Sequence, residues 1–107
     1  EDYVLMEENY WVSGLNSGEE GQPLLQEGEY IDLSLEFYTT KGDLLASHQA
    51  NVLLGQIDEI QAVVHVLPHL KRNMHVSLLA PWYLAFGSAG NSEIPPYENL
   101  RIEIDIQ

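Results

Sequence analysis

Three segments of this chain alternate between apolar and polar residues with a period of two, and they constrain the fold more than any other feature. They span residues 30–38, 74–80 and 100–106. In each segment one face is aliphatic or aromatic and the other carries mostly charged, hydroxyl or imidazole groups. A strand with this pattern packs one face on a core and leaves the other in water. The sequence therefore predicts an antiparallel sheet that is covered on one side.

Between residues 57 and 67 the apolar period changes to that of a helix. The residues that recur at helical spacing are Ile57, Ile60, Val63, Val64 and Leu67. Pro68 ends this helix within two or three turns, because a proline in a helix interior removes a backbone hydrogen bond. Asp58 and Glu59 fit its N-terminus, which favours negative charge. Several strands around one short helix predict an α+β domain.

The remaining segments have weaker patterns. Residues 3–12 are interpreted as one interrupted strand, and residues 13–28 as a turn-rich loop. A turn follows at residues 40–43. The apolar runs at 44–47 and 51–54 are typical of a strand that is broken by a bulge or loop around His48 to Ala50.

Length and charge limit the function. A chain of 107 residues that is 45% hydrophobic predicts one domain over residues 1–107, with an N-terminal strand and an acidic loop in residues 1–27. The net charge of −13 argues against nucleic acid as a partner. Residues 1–36 contain no lysine or arginine, and they form either a solvated face or a surface for a cation-rich partner.

Other compositional features bear on chemistry and location. The absence of cysteine excludes disulfides, thiol catalysis and cysteine-ligated zinc. No apolar run approaches the roughly 20 residues of a membrane helix, so we expect no membrane insertion of this chain. Because the sequence starts at Glu1, we expect a processed or trimmed end. A removed signal peptide or lipid anchor would place the protein in the bacterial periplasm or cell envelope.

Candidate catalytic and metal groups are few. His65 and His69 are four residues apart, as zinc ligands on a helix often are, but Pro68 interrupts the turn between them. We expect exposed or helix-end histidines and no metal. Ser88 and Ser92 lack the surroundings of a nucleophile elbow.

The order of motifs after residue 80 is distinctive. It consists of A-P at 80–81, L-A-F-G at 84–87, a loop rich in glycine, serine and asparagine, I-P-P at 94–96 and the last alternating strand. This order resembles the end of an FKBP-type peptidyl-prolyl cis-trans isomerase domain. The resemblance is clearest over residues 28–106, where Gly42 stands at the family's turn glycine and Asn73 at its helix-to-strand glycine. Leu54-Gly55, followed by Ile60, is similar to the family's entry into the helix.

The resemblance implies an FKBP-like fold, a strongly bent antiparallel β-sheet wrapped around one short helix. It also implies isomerisation of X-Pro bonds in protein substrates without a cofactor or metal. The partners would be proline-containing polypeptides, and a monomer is the default oligomeric state.

The same resemblance assigns pocket residues. The family's pocket Trp falls on Val63, its strand Tyr and Phe fall on Leu35 and Leu45, and its last-strand Phe falls on Ile102. Its Asp falls on Ala46. The positions that remain family-like are Ile60 with its backbone donor, Phe86 without the family's hydroxyl, and Ile94 at the lip, and Tyr97 is a further substrate-binding candidate.

This pocket has fewer aromatic and polar groups than the family's pocket, and two functions are compatible with it. One is a weak prolyl isomerase, and the other is a non-catalytic FKBP-like module for protein binding or chaperone activity. Trp11, Trp82, Tyr83 and Tyr97 are either core residues or a surface that grips extended polypeptide.

Overall fold

The computed structural model describes residues 3–7, 9–15, 21, 23–56 and 59–107. Its described part contains six strands in one sheet and one short α-helix, α1, at Gln61–Val66. The strands are β1 (Val4–Leu5), β2 (Trp11–Ser13), β3 (Tyr30–Thr39), β4 (Leu44–Leu53), β5 (His75–Ala80) and β6 (Leu100–Ile106). All neighbours pair antiparallel, in the order β1-β2-β5-β6-β3-β4. The expected α+β class is confirmed.

The three alternating segments form the centre of this sheet as β3, β5 and β6. On β3, Leu33, Leu35 and Phe37 are buried, whereas Asp32 and Glu36 are exposed. The same alternation on β5 and β6 pairs buried Val76 with Ile104 and Leu78 with Ile102. The apolar face thus packs into the core, and the polar face is left in water.

Helix α1 packs on the core through Ala62, Val63 and Val66, which are fully buried. α-Helical structure stops before Pro68, and one 3₁₀ turn at Leu67–His69 completes the segment. Ile57 and Asp58 lie outside the described residues. Glu59 precedes the N-cap Ile60, and the first turn contains no acidic residue. Glu59 thus lies at the N-terminal end of the helix, as expected, but no side chain makes a cap hydrogen bond there.

The N-terminal segment is a hairpin and not the single strand that was predicted. β1 and β2 pair antiparallel, with Val4 opposite Val12. The chain reverses between them, where the Met6 N–H donates to the Tyr10 carbonyl over 2.8 Å and Asn9 has a φ of 69°. Asparagine tolerates this left-handed conformation better than most residues, so the interruption in the pattern marks a turn.

The predicted break at His48 to Ala50 is also wrong. β4 pairs with β3 throughout this region, and its irregularity lies nearer its start. There Phe37 opposes Ala46 and Tyr38 opposes Leu44, so that Leu45 is the extra residue of a bulge. β4 is an edge strand whose side chains are mostly exposed or half-buried, and its hydrophobic pattern is correspondingly weak.

Two turns agree with the sequence. Gly42 has a φ of 102° in the β3–β4 turn, where its N–H donates to the Thr39 carbonyl over 3.0 Å. Asn73 has a φ of 62° before β5, which is the left-handed conformation expected at that position. Among the described residues, no helix has the length and apolar character needed to cross a membrane.

Candidate functional site

A cavity of about 280 Å³ opens at the β3–β4 end of the sheet. It is bordered by three parts of the chain: β3 and β4, the residue before the N-cap of α1, and the loop between β5 and β6. The bordering residues are Phe37, Ala46, Ser47, His48, Glu59, Phe86, Asn91, Glu93 and Ile94.

Two phenylalanine rings form the aromatic wall of this cavity. Phe37 and Phe86 meet edge to face, with ring centroids 5.3 Å apart and an interplanar angle of 79°. Phe37 extends from the buried face of β3. Phe86 follows the 3₁₀ turn Trp82–Leu84 and is held by hydrogen bonds on both sides, from Gly87 N to Trp82 O (2.9 Å) and from Gly90 N to its own carbonyl (3.1 Å). The ring pair is thus fixed by backbone structure.

Asn91 organises the rest of the loop. Its side-chain oxygen accepts the N–H groups of Glu93 and Ile94 over 2.8 and 2.7 Å. Its own N–H donates to the Ile94 carbonyl over 2.9 Å. This turn, in which a side chain replaces backbone acceptors, holds the buried Ile94 at the cavity and Glu93 beside it.

The rim is polar. His48 Nε2 lies 3.3 Å from Glu59 Oε2, and the side chain of Glu59 is only 13% exposed. This bond connects β4 to the residue before α1 across the rim of the cavity. Glu59 therefore borders the cavity while it lies next to the N-terminal end of α1.

Comparison with solved structures decides the fold. The chain superposes on AtFKBP13 with a TM-score of 0.82 at 16% identity, over 97% of this chain and 95% of that one. It superposes on FkpA from Escherichia coli with a TM-score of 0.78 at 16% identity, over 97% of this chain and 49% of that one. For a peptidyl-prolyl cis-trans isomerase from Pseudomonas syringae, the TM-score is 0.77 at 15% identity, over 97% of this chain and 77% of that one.

The chain has the FKBP fold. By sequence, no protein-family model and no curated protein matches it. At identities of 15% and 16%, the similarity to these structures supports the fold and nothing more. The chain spans about half the length of FkpA.

The FKBP fold brings three of the predicted site residues to the cavity. Phe86, Ala46 and Ile94 all border it. Ala46 lies directly opposite Phe37 in the sheet, so its methyl group faces the aromatic wall from the neighbouring strand. Ile60 is the N-cap of α1 and is half-buried against the core.

Other predicted pocket residues lie in the core. Val63, Leu35 and Ile102 are at most 1% exposed and are not among the residues that border the cavity. Ile102 is the β6 partner of Phe37, and the Phe37 ring forms the cavity wall beside it. Leu45 is half-buried and packs against the core. The substrate contacts assigned to these four residues stay predictions.

Tyr97 lies apart from the cavity wall. It is 61% exposed and meets Trp82 edge to face, with centroids 4.9 Å apart. Tyr83 also meets Trp82 edge to face, with ring centroids 5.6 Å apart. Trp11, Tyr83 and Tyr97 are thus exposed at 43%, 52% and 61%, whereas Trp82 is half-buried between the two tyrosines. That these rings grip an extended polypeptide stays a prediction.

The sequence interpretation missed several residues at the site, above all Phe37, His48, Glu59 and Glu93. For Phe37 the signal was available, because it follows Leu35 on the apolar face of β3. The rim residues gave no such signal, since their proximity depends on how β4, α1 and the β5–β6 loop meet.

His65 and His69, the two histidines with the spacing of zinc ligands, lie in different surroundings. His65 stacks on Tyr10, with centroids 6.4 Å apart, and its Nε2 lies 3.2 Å from Gln61 Oε1. His69 is exposed at the end of the 3₁₀ turn. Across the described part of the chain, no group of three or more histidine or acidic side chains is arranged to hold a metal ion.

Proposed function

We propose that the protein is a weak peptidyl-prolyl cis-trans isomerase that acts on X-Pro bonds of polypeptides. The observation that carries this proposal is the cavity walled by Phe37, Phe86 and Ile94, in the stretch that resembles the substrate pocket of FKBP-type isomerases. An aromatic wall offers a proline ring a fitting apolar surface. The FKBP fold of AtFKBP13 and the other solved structures supports the same conclusion.

Such a cavity can catalyse rotation without covalent chemistry. Amide resonance creates the barrier of about 18–20 kcal/mol, and the planar amide is more polar than the twisted one. Apolar walls therefore favour the twisted state relative to water. The resemblance assigns the substrate carbonyl to the N–H of Ile60, which follows the cavity residue Glu59 and, as the N–H of an N-cap residue, has no partner within its own helix.

The expected activity is weak because two polar contacts are missing. Phe86 lacks a hydroxyl group, and Ala46 offers a methyl group where the resemblance places a carboxylate. Each lost hydrogen bond costs about 1 kcal/mol. Since about 1.4 kcal/mol is a factor of ten, each loss lowers binding or rate about fivefold.

The test is NMR exchange spectroscopy on a short X-Pro peptide at high protein concentration. The wild-type protein should accelerate cis-trans exchange, and Phe86→Ala should reduce the acceleration about tenfold through loss of the ring contact and its apolar surface. Tyr83→Ala is the matched control, because it removes an exposed ring from the same loop without altering the cavity. An acceleration that survives Phe86→Ala would contradict this site.

The burial of Val63, Leu35 and Ile102 favours a second candidate, a non-catalytic module that binds proline-containing segments. With these side chains in the core, the cavity has fewer apolar contacts for a substrate than the resemblance assigns, and Phe37 and Phe86 provide its aromatic wall. This candidate predicts peptide-induced shifts of the Phe86 and Ile94 amide signals without faster exchange. The isomerase fails if exchange stays at the uncatalysed rate while these shifts saturate.

A further inference from the structure

Two carboxylates border the cavity beside the ring pair. Glu59 lies before α1, and Glu93 lies next to Ile94 in the β5–β6 loop. Among the described residues around the cavity there is no lysine or arginine. The site thus joins an aromatic wall to a negatively charged rim.

Glu59 is the more enclosed of the two. Its carboxylate is 13% exposed, and the described residues supply it with one hydrogen-bond partner, His48 Nε2 at 3.3 Å. A neutral imidazole can donate this bond from Nε2–H, so the contact does not require that the charge of Glu59 be cancelled. A half-buried carboxylate gains from a cationic partner because burial removes part of its hydration.

Glu93 is exposed, but its backbone is fixed. Its N–H donates to Asn91 Oδ1 over 2.8 Å, and the next residue, Ile94, is tied to the same oxygen. The loop therefore keeps this charge at the rim.

The two arginines of the chain do not offset these charges. Arg72 pairs with Glu29 over 2.9 Å, and Arg101 pairs with Glu103, so both arginines are engaged away from the cavity. With 17 acidic residues against 4 lysines and arginines, the whole molecule adds to the negative potential at the rim.

We propose that this site prefers polypeptide segments in which a lysine or arginine adjoins the proline. This inference rests on the proposed function, because it places the proline ring beside Phe37 and Phe86. Neighbouring Cα atoms are about 3.8 Å apart, and lysine carries its ammonium group on a flexible four-carbon stem. A cation next to the bound proline can then reach Glu59 or Glu93 at the rim.

The test compares three peptides that differ only in the residue before proline, which is Lys, Leu or Glu. Binding is measured by NMR titration of the Phe86 and Ile94 amide signals, and isomerisation is measured separately by exchange. At low salt the Lys-Pro peptide should bind about three- to tenfold more tightly than the Leu-Pro peptide, with Glu-Pro weakest. The preference should shrink at 0.5 M NaCl, where screening shortens the range of the charges.

Variants that remove one charge test whether Glu59 and Glu93 cause the preference for Lys-Pro. Glu93→Gln and Glu59→Gln should each lower the Lys-Pro to Leu-Pro affinity ratio about twofold or more. Glu7→Gln is the matched control, because it removes one charge from the β1–β2 turn, at the sheet edge opposite β4. If Glu59→Gln does not fold, the exposed Glu93→Gln still decides the result.

Failure of this inference is distinguishable from failure of the proposed function. A preference for Lys-Pro in binding without faster exchange would support the inference and contradict the proposed isomerase activity. Faster exchange with equal affinity for Lys-Pro and Leu-Pro would support the proposed isomerase activity and overturn the inference. A preference that Glu7→Gln lowers as much as Glu93→Gln also overturns it, as does a lack of binding by all three peptides.

Discussion

Gly90 shows how a single residue shapes the site. It has a φ of 63°, and an added Cβ would overlap the Ile94 carbonyl oxygen and lie 2.8 Å from Pro95 C and Pro96 N. These are backbone atoms of the loop that holds Ile94 at the cavity. Only a residue without a side chain lets the two parts of the loop approach this closely.

We expect Gly90→Ala to lower the free energy of unfolding by about 2–4 kcal/mol, from the left-handed conformation and the overlap together. Urea denaturation of the wild type and of Gly90→Ala measures this loss. Gly87→Ala is the control, since Gly87 has a φ of 73° but nothing lies within 4 Å of its added Cβ. That variant should lose only about 1–2 kcal/mol. Equal losses would mean that the close approach to Ile94 costs nothing.

At this scale the resemblance to FKBP-type domains pointed to Phe86, Ala46 and Ile94, which the fold brings to one cavity. The alternating pattern placed Phe37 on the correct face of β3 without connecting it to the site. His48 and Glu59 are eleven residues apart and meet over 3.3 Å. Such a pair depends on tertiary packing, which alternation and spacing along one segment do not determine.

The outer face of the β5–β6 pair carries a polar cluster. His75 Nδ1 lies 2.8 Å from Asp105 Oδ1, and His75 Nε2 lies 2.6 Å from Glu103 Oε1. Ser77 donates to Glu103 over 2.7 Å, and Arg101 also donates to this carboxylate. Cross-strand pairs of this kind stabilise a sheet from its solvent side.

Two pKa values in this cluster are displaced in opposite directions. Partial burial lowers the pKa of His75, but its hydrogen bonds with Asp105 and Glu103 outweigh this effect and raise the pKa above 6.5. Partial burial raises the pKa of Glu103, but hydrogen bonds from Ser77, His75 and Arg101 outweigh it and lower the pKa below 4.5.

Stability should depend on pH accordingly. The contribution of His75 is present below pH 6.5, its ordinary pKa, and is lost as the pH rises through the higher pKa of the folded state. The contribution of Glu103 is present above pH 4.5 and is lost as the pH falls through its lowered pKa. Between these two values both groups stabilise the fold.

We therefore expect His75→Gln to cost more at pH 5.5 than at pH 8.5, by about 0.5–1 kcal/mol for a partly exposed cluster. Urea denaturation of wild type and variant at both pH values measures the difference. His69→Gln, at an exposed histidine, provides the comparison for a generic effect of the substitution. An identical cost of His75→Gln at both pH values would show that its ion pairs contribute no stability.

The elements themselves were predictable where one face is buried. β3, β5, β6 and α1 follow their sequence patterns because their buried faces require regular apolar spacing. β1, β2 and β4 lie toward the two sides of the sheet, and the weak apolar pattern of β1 and β4 allows more than one interpretation. Their pairing partners, and not their own residues, decide that β1 and β2 form a hairpin and that β4 runs unbroken.

At the scale of the whole molecule, like charges are confined to a small volume. The radius of gyration is 13.2 Å, whereas the Debye length is about 30 Å at 10 mM salt and about 8 Å at 0.15 M. At low salt most charges therefore interact across the entire fold. The net charge of −13 makes this interaction repulsive.

Added salt should consequently stabilise the protein. Screening weakens the favourable pairs, such as Arg72 with Glu29 at 2.9 Å, but it weakens the more numerous repulsions as well. Since 17 acidic residues face only 4 lysines and arginines, we expect the repulsive part to dominate. The free energy of unfolding should rise on the order of 1 kcal/mol between 10 and 150 mM NaCl.

The measurement is the urea midpoint at both salt concentrations, with urea chosen because it is uncharged. The slope of the transition should stay constant, so that the shift reports stability alone. Equal shifts in NaCl and KCl would identify screening as the cause, since both salts have the same ionic strength. A midpoint that falls with added salt would mean that the ion pairs of Arg72, Arg101 and His75 outweigh the repulsion among the acidic residues, which would contradict this account of the molecule's charge.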